Sequence, residues 1–157
     1  MKRRLYADTS VLGGYFDVEF EQYSKRFVES LREERFVLLT SGVVIEEIEE
    51  GPEKVRDLFA SIPVESMEVV PLTMEIINLR DAYLKAGILG EKWIDDATHV
   101  ATATVARAEA IVSWNFRHIV RLDKMKAYNR INLANGYGYL TIVTPKEIDY
   151  GESSEPE

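Results

Sequence analysis

The chain contains no cysteine, which excludes disulfide frameworks, thiolate zinc sites and cysteine nucleophiles together. Histidine is nearly as scarce. With only His99 and His118 available in 157 residues, a histidine-rich metal centre is disfavoured, and any metal would be a hard cation on oxygen ligands. No uninterrupted apolar stretch approaches the roughly 20 residues that a membrane helix requires, so a soluble, cytoplasmic protein with no membrane partner is expected. The basic start Met1-Lys2-Arg3-Arg4 resembles the head of a secretory signal, but Asp8 interrupts the apolar run behind it. Positive charge is in deficit too, with 19 Lys and Arg against 27 Asp and Glu and a net charge of −8. That balance argues against gripping nucleic acid through overall basicity, without excluding a local contact.

Hydrophobic residues make up 46% and charged residues 29%, which excludes wholesale disorder and fibrous classes. The length suits one domain with a core of its own. Residues 1–150 are read as that domain, and 151–157 as an acidic tail expected to be disordered. Charge is unevenly spread. Acids crowd between Glu46 and Glu53, whereas Arg117, Arg121, Lys124, Lys126 and Arg130 are answered locally only by Asp123. That basic segment reads equally as a solvated helix face or as a phosphate-contacting one.

Short apolar runs alternate with helical patterns. Arg3 to Ala7 reads as a strand ending in the small polar residues Asp8-Thr9-Ser10. Gly13-Gly14 follows too late to match a dinucleotide-binding fingerprint. Helical spacing runs from about Tyr23 to Glu34, and Phe36-Val37-Leu38-Leu39 is a buried strand with Thr40-Ser41 at its end. Helices are expected around Val43 to Ile48 and from Pro52 to Phe59. Glu68 to Leu72 is a strand placed at an edge by Pro71. Thr73 caps a helix that stops at Gly87; an alanine-rich helix, a strand at Ile111, and a helical, basic segment from Phe116 to Asn132 follow. Leu140 to Val143 is the last strand, and Thr144-Pro145-Lys146-Glu147 reads as a capping box. This alternation predicts an α/β fold, a three-layer α/β/α sandwich with a mostly parallel central sheet.

Ligands of such sheets collect beyond the carboxyl ends of the strands where strand order reverses. Asp8, Ser41 with Glu47, and Ser113 to Asn115 each lie just after a predicted strand. The stretch Trp93-Ile94-Asp95-Asp96-Ala97-Thr98-His99 opens the alanine-rich helix with two acids. Capping accounts for such a doublet; so does a bound cation, because ionised groups beside a packed core need a partner. Helical phase separates the pairs. If Ala97, Val100, Ala101, Thr104 and Ala108 face the core, Asp96 falls on the shoulder of that stripe and Asp95 points away; the same arithmetic favours Glu47 over Glu46. Asp8, Glu47 and Asp96 would then converge at one sheet edge. Three carboxylates without a cation would repel one another, and with Mg²⁺ or Mn²⁺ they suit phosphodiester hydrolysis.

The ordered set Asp8-Thr9-Ser10, Ser41-x-x-Val44-x-x-Glu47-Ile48, Asp96-Ala97-x-x-x-Ala101-x-Ala103 and Ile111-Val112-Ser113-Trp114-Asn115 resembles the successive motifs of PIN-domain ribonucleases, over about Leu5 to Ile148. Many members of that family are toxins of the VapC type. The resemblance implies a PIN-like fold, a Mg²⁺ or Mn²⁺ site on Asp8, Glu47 and Asp96, endonucleolytic cutting of RNA, and a cognate antitoxin; it leaves a homodimer open. Ser10 or Thr9 would stand behind the acids, with Ser10 also among the substrate-binding residues, and Asn115 would complete the catalytic ring. Many members carry a fourth acid where this chain has Asn115, which ligates weakly and adds no charge. The rival reading is therefore a catalytically weakened PIN-like module that binds RNA or a protein. A phosphoaspartate enzyme would want an acid at Ser10. His99 reads as a satisfied buried histidine or a substrate contact, and Arg117 and His118 as phosphate contacts or surface residues. Trp93 and Trp114 read as packing or as base-stacking residues.

Overall fold

In the computed structural model, which describes residues 2–151, five apolar runs form the strands β1 (Arg3–Ala7), β2 (Phe36–Ser41), β3 (Met67–Val70), β4 (Ala110–Val112) and β5 (Thr141–Val143). They pair in the order β3-β2-β1-β4-β5, and every pairing is parallel. Leu5, Tyr6 and Ala7 of β1, Leu38 and Leu39 of β2 and all of β4 are buried, as strands covered by helices on both faces must be. The expected edge strand is at the edge. β3 ends at Val70, immediately before Pro71, which has no N–H to offer a ladder. The disorder expected of the acidic tail falls, beyond Gly151, outside the described residues.

Seven helices flank the sheet within the described residues and make the α/β/α sandwich: α1 (Thr9–Gly14), α2 (Glu21–Arg32), α3 (Gly42–Glu49), α4 (Glu53–Ala60), α5 (Met74–Lys85), α6 (Ile94–Val105) and α7 (Leu122–Ala134). α1 packs on α2, α3 and α4, while α5 packs on α6 and α7. α2 turns Phe27, Val28 and Leu31 inward. Caps stand where polar residues close a strand. Asp8 caps α1 through the Ser10 N–H, Ser41 caps α3 through Val44 N–H, and Thr73 caps α5 through Ile76 N–H. Gly87, at φ 77°, takes the left-handed conformation that ends α5.

α6 is buried on nearly every side, since Ala97 through Thr104 are all shielded. Small side chains make that tolerable, and the threonines among them satisfy their own hydroxyls. Thr98, Thr102 and Thr104 donate to the carbonyls of Ile94, Thr98 and Val100 at 2.7, 2.7 and 2.9 Å. None of the described helices is long and apolar enough to cross a membrane.

Two expected elements differ. The helix expected from Phe116 begins only at Leu122, because the Asn115 side-chain oxygen accepts the backbone N–H groups of Arg117 and His118 and winds a separate turn. Arg121, at φ −150° and ψ 133°, breaks that turn from α7. The box at Thr144 builds a single 3₁₀ turn, Pro145–Glu147, rather than a longer helix. α7 is tied down by its amides. Asn129 accepts from Leu140 N–H at 2.6 Å and donates to Leu140 O at 3.1 Å, so one side chain serves as a strand partner for the segment entering β5.

Gly14 accounts for half of the glycine pair that precedes α2. A Cβ there would lie 2.6 Å from Ser24 Oγ and 2.6 Å from Trp114 Nε1, whose indole donates to Ser24. Substituting Gly14→Ala should therefore lower unfolding free energy by about 1–3 kcal/mol. Gly13→Ala, with nothing within 4 Å of the new Cβ, should raise stability by up to about 1 kcal/mol. Urea midpoints of the two variants, compared with the parent, check both.

Candidate active site

Strand order reverses between β1 and β4, since the chain builds β1, β2 and β3 in one direction and then crosses to lay β4 on the far side of β1. Asp8 leaves β1 and Ser113 leaves β4 at that point, and they touch. Ser113 Oγ donates to Asp8 Oδ2 at 2.7 Å, while Ser10 Oγ donates to Oδ1 at 2.5 Å and Ser10 N–H to the same oxygen at 3.2 Å. Each serine is held in turn. Trp114 N–H donates to Ser10 Oγ at 2.8 Å and Asn115 N–H to Ser113 Oγ at 2.9 Å. Asp8 is thus gripped by two strand ends and one helix N-terminus while only 5% exposed. Burial pushes its carboxyl above the usual range, the nearby His99 and the two serine hydroxyls offset part of this, and Asp96 adds to it.

The second acid comes from α3. Glu47 stands at the shoulder expected from helical phase, with its side chain 35% exposed, while Glu46 faces solvent. Thr9 Oγ1 donates to Glu47 Oε1 at 3.2 Å, and His99 Nε2 donates to the same oxygen at 2.7 Å. The other nitrogen of His99 lies 2.7 Å from Tyr6 OH, which lies 2.8 Å from Ser41 Oγ. His99 is the satisfied, buried histidine of the first reading. Burial works against a charged ring, yet the bond to Glu47 and the negative field of Asp8, Glu47 and Asp96 outweigh it and hold His99 above its ordinary range.

Asp96 supplies the third acid. Its side chain is 18% exposed, whereas Asp95 faces solvent. Both acids of the doublet stand in the first turn of α6, where the helix dipole favours them, but neither is its cap. Trp93 occupies the cap position of α6 without a side-chain bond, and the chain's capping aspartate is Asp8. His118 Nδ1 instead donates to Asp96 Oδ2 at 2.8 Å, and Tyr128 OH donates to His118 O at 2.8 Å, so α7 fixes the turn that carries this histidine.

Glu47, Asp96, Asn115, Arg117 and His118 line one cleft of about 460 Å³ together with Trp93, Lys92 and Asp95. Asp8 does not line it, but lies close enough to Asp96 and His99 for their charges to act on it. Asn115 faces the cleft, but its side-chain oxygen already accepts from Arg117 N–H at 3.2 Å and His118 N–H at 2.9 Å. Of the basic segment, only Arg117 lines this cleft. Arg121 pairs with Asp123, and Lys124 reaches the carbonyl of Ile88. Trp114 is a packing residue, stacked on Phe20 at 4.2 Å.

The donor set suits a hard cation, with three carboxylates on separate elements and a buried negative charge that protein groups only partly offset. Among the described residues, however, no three acidic or histidine side chains already stand as a metal cage. The reason is visible in the two outer acids, which lean toward His99 and His118. Sequence reasoning missed Tyr6, which sat in an apolar strand pattern, and gave Ser113 no partner. The available signal was that Ser113 follows β4 just as Asp8 follows the neighbouring β1.

No family model and no curated protein matches the chain. Solved structures do. VapBC2 from Rickettsia felis, bound to a DNA fragment from its promoter, shares 15% identity at a TM-score of 0.56, covering 90% of this chain and 98% of that one. VapC20 of Mycobacterium tuberculosis, a toxin that cleaves the sarcin-ricin loop, shares 15% identity at a TM-score of 0.52, with 87% and 98% covered. With parallel strands in the order β3-β2-β1-β4-β5 and acids at the switch point, the chain has the PIN-like fold of the VapC toxins.

Proposed function

We propose that the chain is a Mg²⁺- or Mn²⁺-dependent endoribonuclease that hydrolyses RNA phosphodiester bonds, acting as the toxin of a toxin-antitoxin pair with a cognate antitoxin protein. The observation that carries the reading is the gathering of Asp8, Glu47 and Asp96 from three elements around the sheet's switch point, where all three act on one buried histidine. The fold shared with VapC toxins supports the same class.

Asp8, Glu47 and Asp96 would hold the ion. When bound, it would neutralise charge on the phosphoryl group and acidify a water for in-line attack. The protein's own groups set the acids. Ser10 and Ser113 orient both oxygens of Asp8; His99, braced by Tyr6, orients Glu47, and His118 orients Asp96. Asn115 brings no fourth charge and spends its oxygen on two backbone amides, which favours a single ion and a shaping role. Arg117 at the cleft mouth supplies a positive charge for the RNA backbone.

Incubating the protein with an RNA panel should give cleavage in Mg²⁺ or Mn²⁺ and none with chelator. Asp8→Asn and Asp96→Asn should each lower the rate by at least about 100-fold, the scale on which positioned catalytic groups act. Retained cutting in both variants would remove the assignment. Metal-sensitive RNA binding without any cutting would favour the weakened binding module.

Stability gives a separate reading of the ion. A carboxyl whose folded pKa is raised contributes stability at low pH that is lost as pH rises through the folded value. Without metal, Asp8→Asn should therefore melt higher than the parent at neutral pH, by roughly 2–4 °C per kcal/mol recovered, and the gap should narrow on acidification. Adding Mg²⁺ should raise the melting temperature of the parent but not of the variant. Scanning calorimetry with and without metal checks both signs.

A further inference from the structure

The two tryptophans of this chain do different work. Trp114 is buried in the aromatic cluster with Phe20, and its indole N–H is bonded to Ser24. Trp93 is half-buried at the start of α6 and lines the acidic cleft. Its ring lies 4.4 Å from that of His118, whose Nδ1 bonds Asp96, so the indole stands one residue away from a site acid.

Two cations attend the same ring. Lys92 Nζ and Arg117 Cζ each lie 5.1 Å from its centroid. Neither takes a carboxylate partner among the described residues, although Glu47, Asp95 and Asp96 line the same cleft and the chain carries a net charge of −8. Cations left off neighbouring acids and resting over a half-buried indole at a cleft are held weakly. A stronger set of contacts is available to them in phosphate oxygens. An indole released by a departing cation offers a face on which an unpaired base stacks more strongly than the cation did.

From this arrangement we infer that Trp93 is a nucleobase-binding platform, on which an unpaired base beside the cleaved phosphate stacks while Lys92 and Arg117 take the flanking phosphates. The inference rests on the nuclease reading and narrows it to single-stranded RNA, because a base inside a duplex has both faces covered. The platform is a specificity device. It touches the nucleotide next to the reacting one and leaves the acids to their own partners.

The test uses the full-length chain carrying Asp8→Asn, in Mg²⁺, with short oligoadenylate and oligouridylate as single strands, the two annealed as a duplex, and a ribose-phosphate oligomer of equal length lacking bases. Tryptophan fluorescence should be quenched by the single strands, and the quench should vanish in Trp93→Phe, whose Trp114 serves as the blank. The baseless oligomer should bind about 10-fold more weakly than the single strands, the loss of one stack. Trp93→Ala should lose the same factor toward single strands and nothing toward the baseless oligomer, whereas Trp93→Phe should stay within about threefold of the parent. Thermal melts of both variants establish that they fold. Equal affinity for base-bearing and baseless oligomers, equal affinity for duplex and single strand, or full affinity in Trp93→Ala would each overturn the inference. Wild-type cleavage is scored separately: a quench without cutting leaves the platform standing and removes the nuclease, and cutting without a quench does the reverse.

Discussion

A buried carboxylate, held where two strands part, is the constraint around which the molecule is arranged. Asp8 follows β1, caps α1 and accepts from Ser113 beyond β4, so it joins the elements on both sides of the strand-order reversal. Hydrogen bonds to a charged acceptor are worth about 1.5–3 kcal/mol each, while burying an ion costs several kcal/mol. The serine bonds reduce that cost without removing it, as the raised carboxyl shows. A fold stabilised for its own sake would place a neutral residue there. Under the proposed function, the counter-charge to this carboxylate would be a bound cation.

The two outer acids solve the same problem by different means. Glu47 and Asp96 are only partly shielded and each leans on a histidine. Those histidines are in turn anchored from the core, His99 by Tyr6 in the central strand and His118 by Tyr128 of α7. The chain's two histidines and two of its buried tyrosines thus act in positioning acids. Small residues make the approach feasible. α6 carries Ala97, Ala101 and Ala103 against its neighbours, which lets Asp96 reach the cleft and buried His99 reach Glu47 from a helix that is otherwise core.

Much of this was legible before folding. Apolar runs of strand length, each ending in a small polar residue, marked the parallel strands, and Pro71 marked the edge, because ladder bonding and φ restriction are local demands. Helical phase separated Asp96 from Asp95 and Glu47 from Glu46, since side-chain direction follows from 100° per residue once the apolar face is known. What failed was also local in cause. The basic helix expected from Phe116 was interrupted because Asn115 capped its own downstream amides, and a periodic pattern does not register a side chain that competes with the backbone.

The sequence by itself therefore determined the parallel α/β sandwich, the absence of any thiol or histidine-rich chemistry, and the three acids that share a sheet edge. Only the tertiary structure decided what those acids face. Ser113 is 105 residues from Asp8 and His99 is 52 from Glu47, and no periodicity encodes pairings across such distances. Likewise the stretch from Trp93 to Asn115 showed two tryptophans of equal standing. Packing buried Trp114 against Phe20 and left Trp93 beside two cations at the cleft, because burial is a property of neighbours brought together by the fold.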